Sequence, residues 1–385
     1  MLNLMEKRTK ELQVMLGEHN VDVAILTDKD SIFYFSGVHD DSGMDYGRPM
    51  ILIVPKDDDC SIITPSCEGN MVRAMTWVKR IFPWNDGEKG EWRDYISQVL
   101  GTKEIVYGLE NDKTHAVMLN FLQDNFPSAV KKDIFPLLSR QRMIKTPKEI
   151  SIMKQAGEVA VAMCEAGRKA IGVGVPEFEV ALAVNEGGTR KAAEFLSKED
   201  SVFNSMFSPL IHELIILQTG PYMHMVHKRA STRKIKQNES IYMCFCKLAY
   251  FKGFHLGFDR QYFVGGYTDQ EAQVYYQAIE GQKRALEMIR PGVKASDVHK
   301  AASNYYAEQG YGICYRTGRS VGYSGLEKPE LRIDDDTILE EGMTFAVDGA
   351  VSLDCGVAGR VGDSIVVVKD GFEYLTEMDK SLQVL

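Results

Sequence analysis

Tyr242, Cys244 and Cys246 alternate within Ile241-Tyr242-Met243-Cys244-Phe245-Cys246. Alternate side chains on one strand share a face. If that face lines a cleft, Cys246 is available as a thiolate nucleophile; if it faces a core, both thiols are inert small hydrophobes. Asp348 follows the apolar run Phe345-Ala346-Val347, where a carboxylate without a partner is costly. Asp259 precedes Arg260 and reads either as a site carboxylate or as half of a salt bridge. Two such acids can hold an amidine or ammonium through charge-assisted hydrogen bonds, each worth about 1.5–3 kcal/mol. His227, in Val226-His227-Lys228-Arg229, is of the type that takes and returns a proton near neutrality. Its basic neighbours fit a surface histidine equally well, and His224 competes for the same role.

The elements that must position these groups belong to a chain of 385 residues, a length that predicts two domains. A net charge of −9 and a pI near 5.5 provide no basic stripe for phosphates, which argues against a nucleic-acid partner. The 7 cysteines, Cys60, Cys67, Cys164, Cys244, Cys246, Cys314 and Cys355, are odd in number, scattered and without a CxxC, as expected of free thiols in a reducing compartment. Charges at Glu6, Lys7, Arg8, Lys10 and Glu11 interrupt any signal-peptide core, and no long apolar run suggests a membrane span. A cytoplasmic location is the expectation.

Apolar spacing predicts a helix over 4–18, then strands at 21–26, 50–54, 60–64 and 104–107, with helices near 66–75, 90–100 and 113–125. This is a small α/β domain over 1–138. A linker is expected at 139–145, because Thr146-Pro147-Lys148-Glu149 is a capping box with proline at the first helical position. The second domain, 146–385, carries a weak repeat: Gly174-Val175 then Glu179-Val180, and Gly292-Val293 then Asp297-Val298. Helices over 147–171, 177–194, 269–290 and 297–308, with strands at 241–246, 258–264, 343–349 and 363–368, give two similar halves. The reading is a pseudo-two-fold α+β domain with a central antiparallel sheet and a site in the crevice between the halves.

Several segments in order now carry a family resemblance. Arg142 to Ile150, Lys252-Gly253-Phe254 with Asp259-Arg260, Ile289-Arg290-Pro291-Gly292-Val293, Leu339 to Thr344 and Gly362 to Val367 resemble the pita-bread hydrolases of the creatinase and Xaa-Pro dipeptidase group. The resemblance spans 140–385 and extends more loosely to 1–138, which is similar to the creatinase N-terminal domain. It implies an α/β chain: a small creatinase-type domain followed by a pita-bread domain. The metallopeptidases of this group hold two metal ions with two Asp, one His and two Glu. The matching positions here are Cys246, Gly257, Arg319, Asp348 and Gly362. Two glycines and a permanent cation leave too few donors for that centre, so no metal and no other cofactor is expected.

Creatinase is the member of the group that works without metal, and the resemblance to it assigns roles. His227 matches its catalytic histidine, and Asp259 and Asp348 match the two acids that face its guanidinium. Tyr46-Gly47-Arg48-Pro49 resembles the segment that binds the substrate carboxylate, and in this group Arg48 would reach a neighbouring subunit's site, which implies a homodimer. Arg319 can clamp a carboxylate or pair with Asp348, while Tyr242 and His255 are expected near the same pocket. Both acids are one methylene shorter than creatinase's, and no second carboxylate-binding arginine is matched within 322–328. The expected activity is metal-independent hydrolysis of a C–N bond in a small zwitterion, with a guanidino, amidine or amide group. A catalytically dead ligand- or partner-binding protein and an Xaa-Pro dipeptidase or aminopeptidase are the alternatives.

Overall fold

The computed structural model describes the chain except residues 40–47, 88, 90, 102–103, 212–215, 247–248 and 313–314. Two units are defined, Met1–Gln141 with Asp200–Phe207, and Arg142–Glu199 with Ser208–Leu385. The short Asp200–Phe207 excursion into the first unit had no counterpart in the sequence reading.

The first unit is built on a six-stranded sheet in the order Arg80–Trp84, Ser61–Pro65, Ile51–Pro55, Val23–Leu26, Val106–Leu109, Val130–Asp133. Its central strands read as continuous apolar runs because both faces are covered, with every residue of Val23–Leu26 buried. Helix Leu2–Glu18 contributes Met5, Leu12 and Leu16 to the buried interior. The outer strands Arg80–Trp84 and Val130–Asp133 escaped the sequence reading. The first contains Pro83 and the second reads Val-Lys-Lys-Asp, mostly exposed, as edge positions allow. Helix Lys29–Ser36 was also missed, since Ser31 through Ser36 are all buried and leave no polar stripe to mark its period. Its ends are nonetheless encoded: Asp28 accepts a hydrogen bond from the Ser31 amide at 3.3 Å, and Gly37 closes it at φ 86°.

The second unit opens on helix Pro147–Ala170, capped by the reciprocal Thr146–Glu149 pair. The same device, Thr268 with Glu271, starts helix Asp269–Met288. Helices Glu177–Leu196 and Ala295–Glu308 follow their respective partners. The repeat glycines do the same work in both halves. Gly174 (φ 84°) and Gly292 (φ 88°) occupy the left-handed region, and their amides bond to Ile235 and Leu339 carbonyls. The expected linker 139–145 is corrected in one respect: helix Phe135–Met143 runs into it.

The main sheet is antiparallel, in the order Glu327–Leu331, Gly318–Ser320, Thr344–Ser352, Ala358–Val368, Asp259–Val264, Glu239–Cys244, Ile216–Thr219, with Gly371–Tyr374 also paired to Ala358–Val368, and Tyr250–Phe251 with Phe254–His255 form a separate two-stranded sheet. Helices Asp269–Met288 and Ala295–Glu308 pack through Val274, Ala278, Val298 and Ala302 into a core with Phe345, Val347, Ile365 and Val367. The opposite parity of these strands carries Asp348, Gly362 and Asp259. Alternation thus separates the apolar face from the polar one.

Candidate functional site

The register of the sheet assembles the site. Asp348 lies opposite Gly362, Gly362 opposite Asp259, Asp259 opposite Cys244, and Cys244 opposite Ile216. Residues directly opposite across a ladder point to the same face, so this row sets two aspartates and a cysteine side by side, with a glycine between the acids. Their carboxylates close over Gly362. A β-carbon there would fall 3.0 Å from Asp348 Oδ1 and collide with the carboxylate of Asp259.

Two residues along, a parallel row contains Arg319 opposite Ala346, Ala346 opposite Ser364, then Gly257 and Cys246. The Ser364 hydroxyl donates to the Gly257 carbonyl at 2.8 Å and accepts from the Gly257 amide at 3.0 Å. Small residues between Arg319 and Cys246 let the arginine side chain lie along the sheet. A β-carbon at Gly257 would stand 2.9 Å from Arg319 Nη2. The guanidinium donates to Asp348 Oδ2 at 3.2 Å and to the Gly325 carbonyl at 3.0 Å, and it interacts electrostatically with Cys246. Burial disfavours its charge, but Cys246 and Asp348 beside it prevail and hold it protonated.

A third row on the same face pairs Ala350 with Arg360, Gln261 with Tyr242, and Tyr242 with Gln218. The Arg360 amide donates to Gln261 Oε1 at 3.0 Å, its guanidinium lies 5.7 Å from the Tyr242 ring centre, and its Nε is buried without a hydrogen-bond partner. Sequence reasoning missed Arg360. Its signal was the two-residue offset from Gly362 on one strand, which puts both on one face.

Protonation follows from this packing. Cys246 accepts a hydrogen bond from Cys244, and with Arg319 alongside its thiol is lowered to about 6 despite burial. Cys244, the donor, is pushed well above the usual thiol range, first by that bond and then by burial. Asp259, only 3% exposed, is held well above the carboxylate range by burial, Asp348 and Cys246, and its Oδ1 has no hydrogen-bond partner. Burial, Asp259 and Cys244 raise the Tyr242 hydroxyl. The pocket therefore sets a thiol of lowered pKa and a guanidinium beside a carboxyl group whose charged form is disfavoured.

Asp259 does not pair with Arg260. The Arg260 guanidinium bonds Asp363 at 2.7 Å on the other face and reaches only the Asp259 backbone carbonyl. The expected single strand for Tyr242, Cys244 and Cys246 is corrected: the strand ends at Cys244 and Cys246 stands in the following turn. Their sulfurs and an Asp259 oxygen still lie within 4.8 Å of one another, because the Phe245 amide extends the ladder to the Phe258 carbonyl.

His227 and His255 fall outside this cluster. His227 is exposed on the loop after Gly220–Tyr222 and makes no hydrogen bond to the cluster among the described residues. That loop meets the site through Met223, which packs with Tyr242, Cys244 and Cys246. Glu177, unnoticed in the sequence, fastens it. This fully buried carboxylate accepts from Thr219, Lys228 and Ser231, and although burial opposes its charge, those bonds hold its pKa low. His255 lies against Tyr250, ring centres 4.7 Å apart. Arg48 is exposed in the first unit and ion-paired with Asp86. Tyr46 lies outside the described residues.

The dinuclear metal of the resembled peptidases does not fit these residues. The space over Gly257 is filled by the Arg319 guanidinium and the space over Gly362 by the Asp259 carboxylate. Cys244, Cys246 and Asp259 offer three atoms that suit a single soft ion, but the fixed cation against Cys246 opposes one.

Residues 8–144 match the creatinase/prolidase N-terminal domain, and 151–369 match metallopeptidase family M24. The chain belongs to metallopeptidase family M24, whose members among its relatives are hydrolases. It is 26% identical over 381 residues to the Xaa-Pro dipeptidase of Lactobacillus helveticus, covering 97% of this chain and 98% of that protein. It is also 26% identical over 393 residues to creatinase of Bacillus sp. (strain B-0618), covering 97% and 90%. Recombinant prolidase from Thermococcus sibiricus shares the fold with a TM-score of 0.85, at 21% identity and 99% coverage of both chains.

Proposed function

We propose that this chain is a metal-independent hydrolase of the C–N bond of a small zwitterionic substrate bearing an amide, amidine or guanidino group. The observation that carries this reading is the Arg319 guanidinium lying over Gly257 while Asp259 and Asp348 close over Gly362. In this reading, fixed side-chain charges take the place of the ions that the resembled peptidases bind. Resemblance by name favours the alternative, since several curated relatives are Xaa-Pro dipeptidases. What supports the metal-independent reading against it is the donor set itself.

In this reading Asp348, half-buried and ionically paired, holds the cationic nitrogen of the substrate. Arg319 and Arg360 neutralise its carboxylate, with Arg48 and Tyr46 of a neighbouring subunit completing the clamp in a homodimer. Asp259, protonated and with a free oxygen, supplies the proton that the leaving nitrogen requires. His227 exchanges protons with solvent at the mouth of the loop.

The test is turnover. Guanidino acids, cyclic amidines and N-acyl amino acids are assayed with and without EDTA, alongside Xaa-Pro dipeptides supplied with Mn²⁺ or Co²⁺. The expected result is hydrolysis of one zwitterion class, unchanged by chelator and lost in Asp348→Asn. Cleavage confined to Xaa-Pro dipeptides and dependent on added metal would overturn the proposal in favour of the dipeptidase.

A further inference from the structure

We infer that Cys246 is the nucleophile of this site and that the reaction passes through a covalent thioester or thioimidate on its Sγ. The inference rests on the C–N hydrolase reading for its substrate. Its first test needs no substrate.

Geometry singles out this thiol. Of the six described cysteines, Cys60, Cys164 and Cys244 are buried and Cys67 and Cys355 are exposed. Cys246 is half-buried, its sulfur within 4.8 Å of the Cys244 sulfur, and Cys244 and the Arg319 charge are the groups that lower its thiol. Both neighbours favour sulfur as an anion: one donates a hydrogen bond, the other provides a fixed positive charge in a water-poor setting. The arginine is held in place by the Gly325 carbonyl and Asp348, and the glycine at 257 gives it room. An oxygen of Asp259 lies within 4.8 Å of the Cys246 sulfur. That is the reach needed for one group to attack carbon while the other protonates the nitrogen leaving it. Paired metal ligands would have no use for a cysteine with an arginine on its sulfur; a thiolate nucleophile does.

The steps balance. The Cys246 thiolate attacks the electrophilic carbon, forming C–S. The C–N bond breaks with its electron pair on nitrogen, which takes the proton of Asp259. Water then attacks the same carbon and gives a proton to the Asp259 carboxylate. C–O forms, C–S breaks, and the thiolate and the protonated acid are restored, one water having been consumed.

The test is alkylation of the full-length native protein with iodoacetamide between pH 5 and 10, with each cysteine followed by peptide mass spectrometry. The expected profile for Cys246 has its midpoint near 6 and is flat above pH 7, while the exposed Cys67 and Cys355 serve as reference thiols in the same sample. A midpoint, not a rate ratio, is the readout, because a thiolate of low pKa is also a weaker nucleophile. Cys244→Ala, which removes the S–H donor, should move the Cys246 midpoint upward by about a unit or more, and Cys244→Ser, which keeps an O–H donor, should restore most of the shift. No modification of Cys246 at any pH, or a midpoint indifferent to Cys244→Ala, overturns the inference. On a substrate found by the turnover panel, Cys246→Ser, checked for a wild-type melting profile, should lose at least about 10²-fold in kcat, and quenched wild type should carry substrate mass on Cys246. Full turnover by Cys246→Ser removes the nucleophile and leaves the hydrolase. A reactive Cys246 with no turnover on any member of the panel supports the thiolate and removes the hydrolase reading.

Discussion

Asp259 and Cys246 are perturbed in opposite directions, Asp259 upward by burial, Asp348 and Cys246, and Cys246 downward by Cys244 and Arg319, and that sets distinct pH signatures. Asp259 is raised in the folded state, so its contribution to stability is complete below the unfolded carboxylate value, about 3.9, and is lost as pH rises toward the folded value. Asp259→Asn should therefore gain in melting temperature over wild type as pH goes from 5 to 8; a difference independent of pH would contradict the assignment. Cys246 is lowered to about 6, so its contribution is present above the unfolded thiol value, about 8.5, and is lost as pH falls through 6. Arg319→Met leaves the Asp348 carboxylate and the Cys246 thiolate without their common cation. Removing one partner of such a buried pair should cost about 3–5 kcal/mol, measured by denaturant unfolding at pH 8, and the cost should shrink at pH 5, where Cys246 is neutral. At this scale the sequence revealed residue types but not partners. It listed Arg260 as a possible partner for Asp259, and only strand alternation, which puts the two on opposite faces, sends Arg260 to Asp363.

Three neighbouring rows of one antiparallel sheet form the site, and its glycines matter as vacancies for other residues' side chains. Gly362→Ala should displace the Asp259 carboxylate. It should cost about 1–3 kcal/mol of stability, read by urea unfolding, and abolish turnover by breaking the row Asp348–Gly362–Asp259. Thr146→Ala tests the capping box at the start of helix Pro147–Ala170. It should cost about 1 kcal/mol while leaving the pH profile of Cys246 alkylation unchanged, which separates fold from site. The elements that carry local signals were legible: the capping box at Thr146, the Gly-Val repeat, and apolar runs such as Val23–Leu26. Helix Lys29–Ser36 was not, because complete burial erases the 3.6-residue pattern, and the edge strand Val130–Asp133 was not, because exposure removes the apolar run. Arg360 stayed hidden for another reason. Its place beside Tyr242 depends on pairing between strands distant in sequence, and no local pattern specifies that register.

Across the whole molecule, the chain keeps both domains of the creatinase and prolidase architecture. Among the described residues no helix is long and apolar enough to cross a membrane. Order of motifs along the chain carried the fold, because glycine turns and caps sit at fixed offsets. The same resemblance led to the expectation that Gly257, Arg319 and Gly362 stand at ligand positions, but it did not reveal that the Arg319 and Asp259 side chains lie against the two glycines. The central claim is that the positive charge of this pocket belongs to arginine. It is tested most directly by inductively coupled plasma mass spectrometry of the purified protein after equilibration with Mn²⁺, Co²⁺ and Zn²⁺ and removal of unbound ions. The account predicts well under one ion per chain; two ions per chain would contradict it.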